Sequence, residues 1–324
     1  MAVYTQLSAE VLADLVAQYD VGELVSAKGI AEGVSNSNWL IETTGSEANG
    51  NRFILTMYER RIDIADLPFF LGLLDYLAAH GCPVPRTIHD RSGASSRELD
   101  GKAVALIEFL PGVSVDRPTP SQAWNVGKVL AEMHEAAHGF RRSRANDLGP
   151  EASARVLAEC GERALAAIHP DLPATIGVSR EVAEQWPQGL PTSIIHSDLF
   201  PDNVLMRGDR VSALIDFYFA CSDAMAYDLA VTHAAWSFSG DGRQFRADVG
   251  RALVAGYESV RKLNDEEREA LPLLAEGAAL RFVSSRAFDW IDTPADALVT
   301  RKDPMDFVRR LEYYQREGKD AFAS

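Results

Sequence analysis

Residues 194–206 read IIHSDLFPDNVLM, and after RGDR the chain resumes as VSALIDFYFA at 211–220. Two apolar runs joined by Gly-Asp turn chemistry predict a β-hairpin. Yet His196, Asp198, Asp202, Asn203 and Asp216 interrupt those runs, and a buried carboxylate is costly unless it is paired or bound to a metal. Asn203 opens one strand and Asp216 closes its partner, so the turn brings both to one end. A fold that accepts this segment must seat the apolar residues in a core and gather the polar ones at a common edge.

The rest of the chain supplies that setting. Ser8 is an N-cap for a helix over 8–19 that places Leu12, Leu15 and Val16 on one face. From Glu23 the texture changes to short strands, ELVSAKGI, SNWLIETT and RFILTMY, the last two separated by the polar connection GSEANGN. A helical pattern over 66–80 stops at Gly81, with prolines at 83 and 85. TIHD and AVALIEFL read as two further strands, and PGVSVDRPTP then punctuates the chain. Beyond it the sequence is mainly helical, with runs at 121–138, 223–238, 245–262, 265–290 and 304–316. The fold class expected is α+β with two lobes: a smaller antiparallel-sheet lobe over 1–107 and a larger, mainly helical lobe over 108–324. The hinge falls at about 108–115, and a cleft between two lobes is a usual place for a ligand.

Charge narrows the function classes. Lys and Arg number 32 against 47 Asp and Glu, a net charge of −15. That balance repels nucleic acid and anionic membrane surfaces. Cys82, Cys160 and Cys221 are scattered and odd in number, which suits reduced thiols rather than a disulfide or zinc pattern. The first twenty residues carry acids where a signal peptide carries bases, and no apolar run approaches about 20 residues. A cytoplasmic protein without a membrane segment is the expectation.

The spacing His196-x-Asp198-x4-Asn203, followed by Asp216-Phe217, matches the kinase catalytic loop H-x-D-x4-N and its later D-F metal site. Any one of these residues alone is an ordinary cap or turn residue; four in this order and spacing are not. Asp198 can accept the proton of a substrate hydroxyl as catalytic base. Oxygens of Asn203 and Asp216 can hold Mg²⁺ between the phosphates of ATP. His196 is grouped with Asp198 in the catalytic loop, with orienting that loop as its expected role.

HSDLFPDNVLM, LIDF and AYDLA, with LAEMH upstream at 130–134, resemble the aminoglycoside-phosphotransferase-like superfamily of small-molecule kinases. The resemblance implies a protein-kinase-like fold, Asp198 as base, and Asn203 and Asp216 as magnesium ligands. It also places Asp228 where the superfamily keeps an acid, here assigned to orienting the catalytic loop. On the nucleotide side, Gly33, Ser35, Asn36, Ser37 and Asn38 resemble the superfamily's phosphate loop. The backbone of Glu108 and Leu110 would meet the adenine edge. The third strand departs from the kinase pattern, because Thr56 stands where a phosphate-binding lysine is expected. Arg52, Arg60 and Arg61 are candidates to replace it, and the helix over 66–80 offers no glutamate to pair with.

TMYERR, LPFFLGLLDYLAAHG, LIDFYFACSDAMAYDLAV, ALRFVSSRAFDW and KDPMDFVRRL together resemble the type II homoserine kinases of bacterial threonine synthesis, over nearly the whole chain. The resemblance implies transfer of the γ-phosphoryl of ATP to the side-chain hydroxyl of L-homoserine. An amino-acid substrate asks for an arginine fork at its carboxylate and an acid or aromatic face at its ammonium. Asp202, Tyr218, Arg281, Arg286 and Trp290 are the candidates, with Arg286 and Trp290 four apart on one helix face. Two alternatives stand beside this reading: a kinase for another hydroxyl acceptor such as an aminoglycoside, choline or a sugar, and a pseudokinase that binds without turnover.

Overall fold

The computed structural model describes residues 7–30, 36–59, 63–293 and 301–323, which fall into two units, Met1–Pro111 and Gly112–Ser324. In the first unit, the Ser8 hydroxyl accepts the Val11 N–H at 3.2 Å and caps α1 (Ala9–Val16). There follow β1 (Leu24–Ile30), β2 (Asn36–Ser46), β3 (Gly50–Tyr58), α2 (Leu67–Ala79), β4 (Thr87–Ile88), β5 (Arg97–Leu99) and β6 (Lys102–Glu108). Among the described residues these strands build an antiparallel sheet in the order β1-β2-β3-β6-β4, with β5 also on β6. Composition follows position: the edge strand β1 is largely exposed, whereas the central β6 is buried from Ala103 to Ile107. Leu12, Val16 and Tyr19 pack with Trp39, Phe53 and Leu55 to form the core of this unit. Glu108 and Phe109 still donate their N–H groups to Arg86 and Arg52, so the unit runs past the strand to Pro111.

The second unit opens with α3 (Pro120–Ala137), whose N-cap Thr119 and Gln122 form a capping box. Three helices follow, α4 (Pro150–Cys160), α5 (Glu162–Ile168) and α6 (Ala174–Glu184). Next come β7 (Thr192–Ile195), β8 (Val204–Arg207), β9 (Arg210–Leu214) and β10 (Cys221–Ala224). Helices α7 (Met225–Trp236), α8 (Ala247–Glu258), α9 (Asp265–Asp292) and α10 (Met305–Glu317) complete it. The expected hairpin is present only in part. β8 pairs with β9, but Ile194 and Ile195 belong to β7, which pairs with β10 instead. A left-handed Ser197 and Pro201, which has no amide to donate, end the strand after Ile195. For the same reason residues 221–224 are strand, and the helix expected from 223 begins at Met225. Among the described residues no helix is long and apolar enough to cross a membrane, and the three cysteines are free thiols.

Two glycines set how closely α3 and α8 meet. A Cβ at Gly256 would lie 1.9 Å from the Trp124 carbonyl oxygen, and one at Gly127 would lie 2.0 Å from that of Leu253. The Cα of each helix therefore rests on the backbone of the other. Gly256→Ala is expected to cost about 3 kcal/mol, the upper range of overpacking. Gly177→Ala, where α6 offers open space, is expected to gain about 0.5–1 kcal/mol. Urea midpoints of the two variants check both signs.

His233 of α7 is fully buried, with Nδ1 2.8 Å from the Tyr314 hydroxyl of α10 and its ring 4.5 Å from that of Phe322. Burial pushes its pKa down to about 3. Below about pH 6.5 the unfolded chain therefore binds a proton that the folded chain refuses. Stability is expected to fall with pH between about 6.5 and 3 by up to about 1.4 kcal/mol per pH unit from this residue. A His233→Gln chain should show a shallower slope across that window in denaturant titrations at several pH values.

Candidate active site

The catalytic-loop residues lie between two short ribbons. β7 delivers His196, Ser197 and Asp198; a 3₁₀ turn over Pro201–Asn203 then leads into β8. The Ile215 N–H donates to the Asn203 carbonyl at 3.0 Å, which fixes the far end of β9 to the start of β8 and sets Asp216 beside Asn203. The Asn203 amide nitrogen donates to the Asp198 carbonyl at 2.7 Å and to its carboxylate at 3.2 Å. With its donor end engaged on Asp198, the amide oxygen is the end of Asn203 that can ligate a cation. Asp198, Asn203 and Asp216 are thus brought together as the spacing predicts.

His196 ties the two loops to each other. Its Nε2 donates to the Ile215 carbonyl at 3.0 Å, one residue before Asp216, and its Nδ1 accepts the Asp198 N–H at 3.3 Å. The ring is completely buried and 4.5 Å from that of Phe217. Burial pushes its pKa down, against the opposing charge of Asp228. A neutral imidazole with both nitrogens committed orients backbone rather than exchanging protons with substrate.

Behind the loop sits Asp228 of α7, with no exposed surface. One carboxylate oxygen accepts the His196 N–H at 2.7 Å and His134 Nε2 at 3.0 Å, and the other accepts the Ser197 N–H at 2.7 Å. The other ring nitrogen of His134 lies 2.9 Å from the Tyr257 hydroxyl. Burial alone would raise the Asp228 pKa, but hydrogen bonding and charge from His134, with His196, hold it below the usual range. Ser197 has φ 66°, a left-handed conformation that costs a residue with a Cβ roughly 1–2 kcal/mol.

The electrostatics in front of the loop run the other way. Burial pushes the Asp198 carboxyl up to about 7, against Arg281 and with help from the charges of Asp216 and Asp202. Desolvation of the Asp216 carboxyl, with the charge of Asp202, pushes it up to about 6, against the Tyr218 N–H. Acids that raise one another in this way are poised to take up a cation. Among the described residues no group of three or more His, Cys, Asp or Glu is placed to hold a metal ion. One carboxylate and one amide oxygen are instead a hard, incomplete donor set, which fits Mg²⁺ sharing its remaining positions with water and phosphate oxygens.

Of the five candidate substrate residues, Asp202 lies exposed on the 3₁₀ turn and Tyr218 half-buried after Asp216. Arg281 is buried, its Nη2 3.6 Å from the Asp198 carboxylate and its Nη1 on the Ser197 carbonyl and hydroxyl. Arg286 donates to the Asp303 carbonyl and the Asp306 carboxylate at 2.8 and 2.9 Å and covers the Phe307 ring. Trp290, one turn further along α9, lies under the Arg301 guanidinium. In the first unit, Asn36 and Ser37 are buried at the start of β2, with Ser37 donating to Glu59 at 2.7 Å. Asn38 accepts from the Thr56 hydroxyl at 2.8 Å. Glu59 also pairs with Lys102, so a Lys–Glu pair exists on β6 and the end of β3, away from the positions where the kinase pattern seeks it. Arg52 pairs with Glu42 on the sheet surface. Glu108 meets Arg86, and Leu110 follows in the extended segment. Gly33, Ser35, Arg60 and Arg61 lie outside the described residues. A cavity of about 420 Å³ in the second unit, lined by Asn146, Glu151, Arg155, Trp186 and Asp223 among others, includes none of the catalytic-loop residues. Sequence reasoning missed Tyr257 and the loop contacts of Arg281, since no local spacing marks partners that far apart.

The family described as "Phosphotransferase enzyme family" matches residues 26–263. The chain belongs to that family. A homoserine kinase of Caulobacter sp. (strain K31) is 49% identical over 326 residues, spanning 100% of this chain and 99% of that protein. A homoserine kinase of Gluconacetobacter diazotrophicus is 48% identical over 320 residues, 97% of each. Among solved structures, spectinomycin phosphotransferase in complex with ADP and spectinomycin has a TM-score of 0.68 at 14% identity, covering 98% of this chain and 99% of that one. An amicoumacin kinase in complex with AMP-PNP, Ca²⁺ and Ami has the same score and identity, covering 97% of this chain and 94% of that one. These neighbours establish the protein-kinase-like fold.

Asp228→Asn replaces one acceptor oxygen by a donor that faces an N–H group. It is expected to cost about 3 kcal/mol, as breaking a buried charged hydrogen-bond set does, and to slow phosphoryl transfer at least about tenfold through misplacement of Asp198. Urea unfolding and turnover measured on the same preparation check the pair of effects; an unchanged turnover would remove Asp228 from the site's support.

Proposed function

We propose that the chain transfers the γ-phosphoryl group of ATP to the side-chain hydroxyl of L-homoserine, in the cytoplasm, as a step of threonine biosynthesis. The observation that carries the chemistry is the Asn203 amide bonded to Asp198 while the Asn203 carbonyl holds Ile215, so that base and metal ligands share one end of a hairpin. The acceptor rests on relatives 46–49% identical along nearly their whole length, each a homoserine kinase.

Asp198 receives the acceptor hydroxyl and takes its proton as the oxygen bonds to the γ-phosphorus and the bond from that phosphorus to the β–γ bridging oxygen breaks, releasing ADP. Phosphoryl transfer passes through a loose transition state, so positioning matters more than base strength. Asn203 and Asp216 would hold Mg²⁺, which when bound neutralises charge on the phosphate oxygens. Nucleotide contacts in the first unit are assigned to Gly33, Ser35, Asn36, Ser37 and Asn38, with the backbone of Glu108 and Leu110 for the base. Asp202, Tyr218, Arg286 and Trp290 are assigned to the ammonium and carboxylate of homoserine.

An ADP-release assay against L-homoserine, L-serine, choline and kanamycin tests the acceptor. Homoserine is expected to give the highest kcat/KM, and faster turnover of kanamycin would sink the reading. Asp198→Ala is expected to lower kcat by about 10²–10⁴-fold, the usual range for a general base, with folding retained. Wild-type turnover in that variant would remove Asp198 as base.

A further inference from the structure

We propose that Arg281 is a positioning residue that, together with Asp228, clamps Ser197 in its left-handed conformation and thereby aims Asp198. The inference rests on the reading of Asp198 as base. Ser197 carries a Cβ at φ 66°, a conformation that glycine adopts freely and other residues adopt only when held. Two elements hold it. Asp228 on α7 accepts the Ser197 N–H at 2.7 Å, which orients the peptide plane before the residue. Arg281 on α9 donates Nη1 to the Ser197 carbonyl, which orients the plane after it, and to the Ser197 hydroxyl at 3.0 Å. With both flanking peptide planes anchored, φ and ψ of Ser197 are determined, and Asp198 is the next residue.

The guanidinium is itself held in place. It is 3% exposed and lies between the rings of Phe282 at 4.7 Å and Phe219 at 5.4 Å. Phe219 follows Asp216 in the same 3₁₀ turn, so Arg281 touches the base loop and the metal loop together. Its Nη2 is 3.6 Å from the Asp198 carboxylate, restraining the base from the side. A planar fork that stacks and donates along two edges suits this task, and a lysine does not. These commitments leave the fork turned toward the protein, in place of the substrate-carboxylate contact that sequence spacing suggested.

The test is a cycle of Arg281→Met, Arg281→Lys, Ser197→Gly and the two double variants, assayed for kcat and for KM of homoserine and Mg·ATP. Arg281→Met is expected to lower kcat by about ten- to a hundredfold, the scale of a base misplaced by about 1 Å, with homoserine KM changed less than about threefold. Adding Ser197→Gly is expected to recover at least about fivefold of that loss, since glycine takes φ > 0 without being held. Arg281→Lys should fall between wild type and Arg281→Met. If Arg281→Met does not fold, as judged by its melting curve, the Lys variant and its double carry the same comparison. A rise in homoserine KM with kcat retained would make Arg281 a substrate residue, and absence of recovery by Ser197→Gly would show that the loop conformation does not depend on it. Should the wild type turn over another acceptor in place of homoserine, the acceptor assignment fails, while the cycle, run on that acceptor, still decides the clamp.

Discussion

Everything at this site is referred to the buried carboxylate of Asp228. An ionised group without solvent exposure is a burden unless each lone pair finds a donor, and here two backbone amides and one imidazole supply them. The arrangement is reciprocal. The amides of His196 and Ser197 would otherwise be stranded in a core, because β7 has ended and no strand partner reaches them. A helix residue thus finishes the hydrogen bonding of a broken strand, and the break is where Asp198 emerges. His134 of α3 and Tyr257 of α8 extend the network. The glycine-mediated contact of those two helices therefore sets the depth at which the histidine can sit.

The carboxylates on either side of this loop behave oppositely because their surroundings differ in donors: the most buried of them, Asp228, is the one whose pKa is held down. Asp228 is saturated with donors and its pKa is held down; Asp198 and Asp216 have few donors and each other's charge nearby, and theirs are pushed up. Such a split marks which acids are structural and which await a partner. A divalent cation would supply the missing positive charge for Asp216, and the same cation would draw ATP phosphates to a chain whose net charge of −15 otherwise repels them. The incomplete oxygen donor set fits that demand better than a closed protein cage would.

Much of this was legible in the sequence because it is local. His196, Asp198, Asn203 and Asp216 sit within 21 residues, and hairpin geometry alone gathers the last two. Most strands of the first unit's sheet were legible as short strand-like runs between turn signals, and α9 as the helical run over 265–290. What the sequence did not disclose depends on long-range pairing. Ile194 and Ile195 read as the start of one strand with 204–206, and only their pairing with Cys221 and Ser222 shows otherwise. Helices α4 to α6 were legible only as a helical region, since Gly161 at φ 77° splits a pattern that has no strong period. Arg281 read as a free fork for a ligand; its spacing on α9 gives no hint that Ser197 lies opposite.

Neighbours at 14% identity share the fold, and a shared fold does not by itself fix an acceptor. On α9, Arg281 faces the loop, and Arg286, five residues on, faces Asp303 and Asp306 at the start of α10. Arg310 of α10 is buried and lies over the same Phe307 ring that Arg286 covers, and burial, with the charge of Arg286, pushes its pKa down to about 10. Stacking and carbonyl contacts offset the desolvation of these cations. Arg281 and Arg286, five residues apart in the C-terminal half of α9, thus hold separate partners, the Ser197 loop and the start of α10, so a substitution at one need not disturb the contacts of the other.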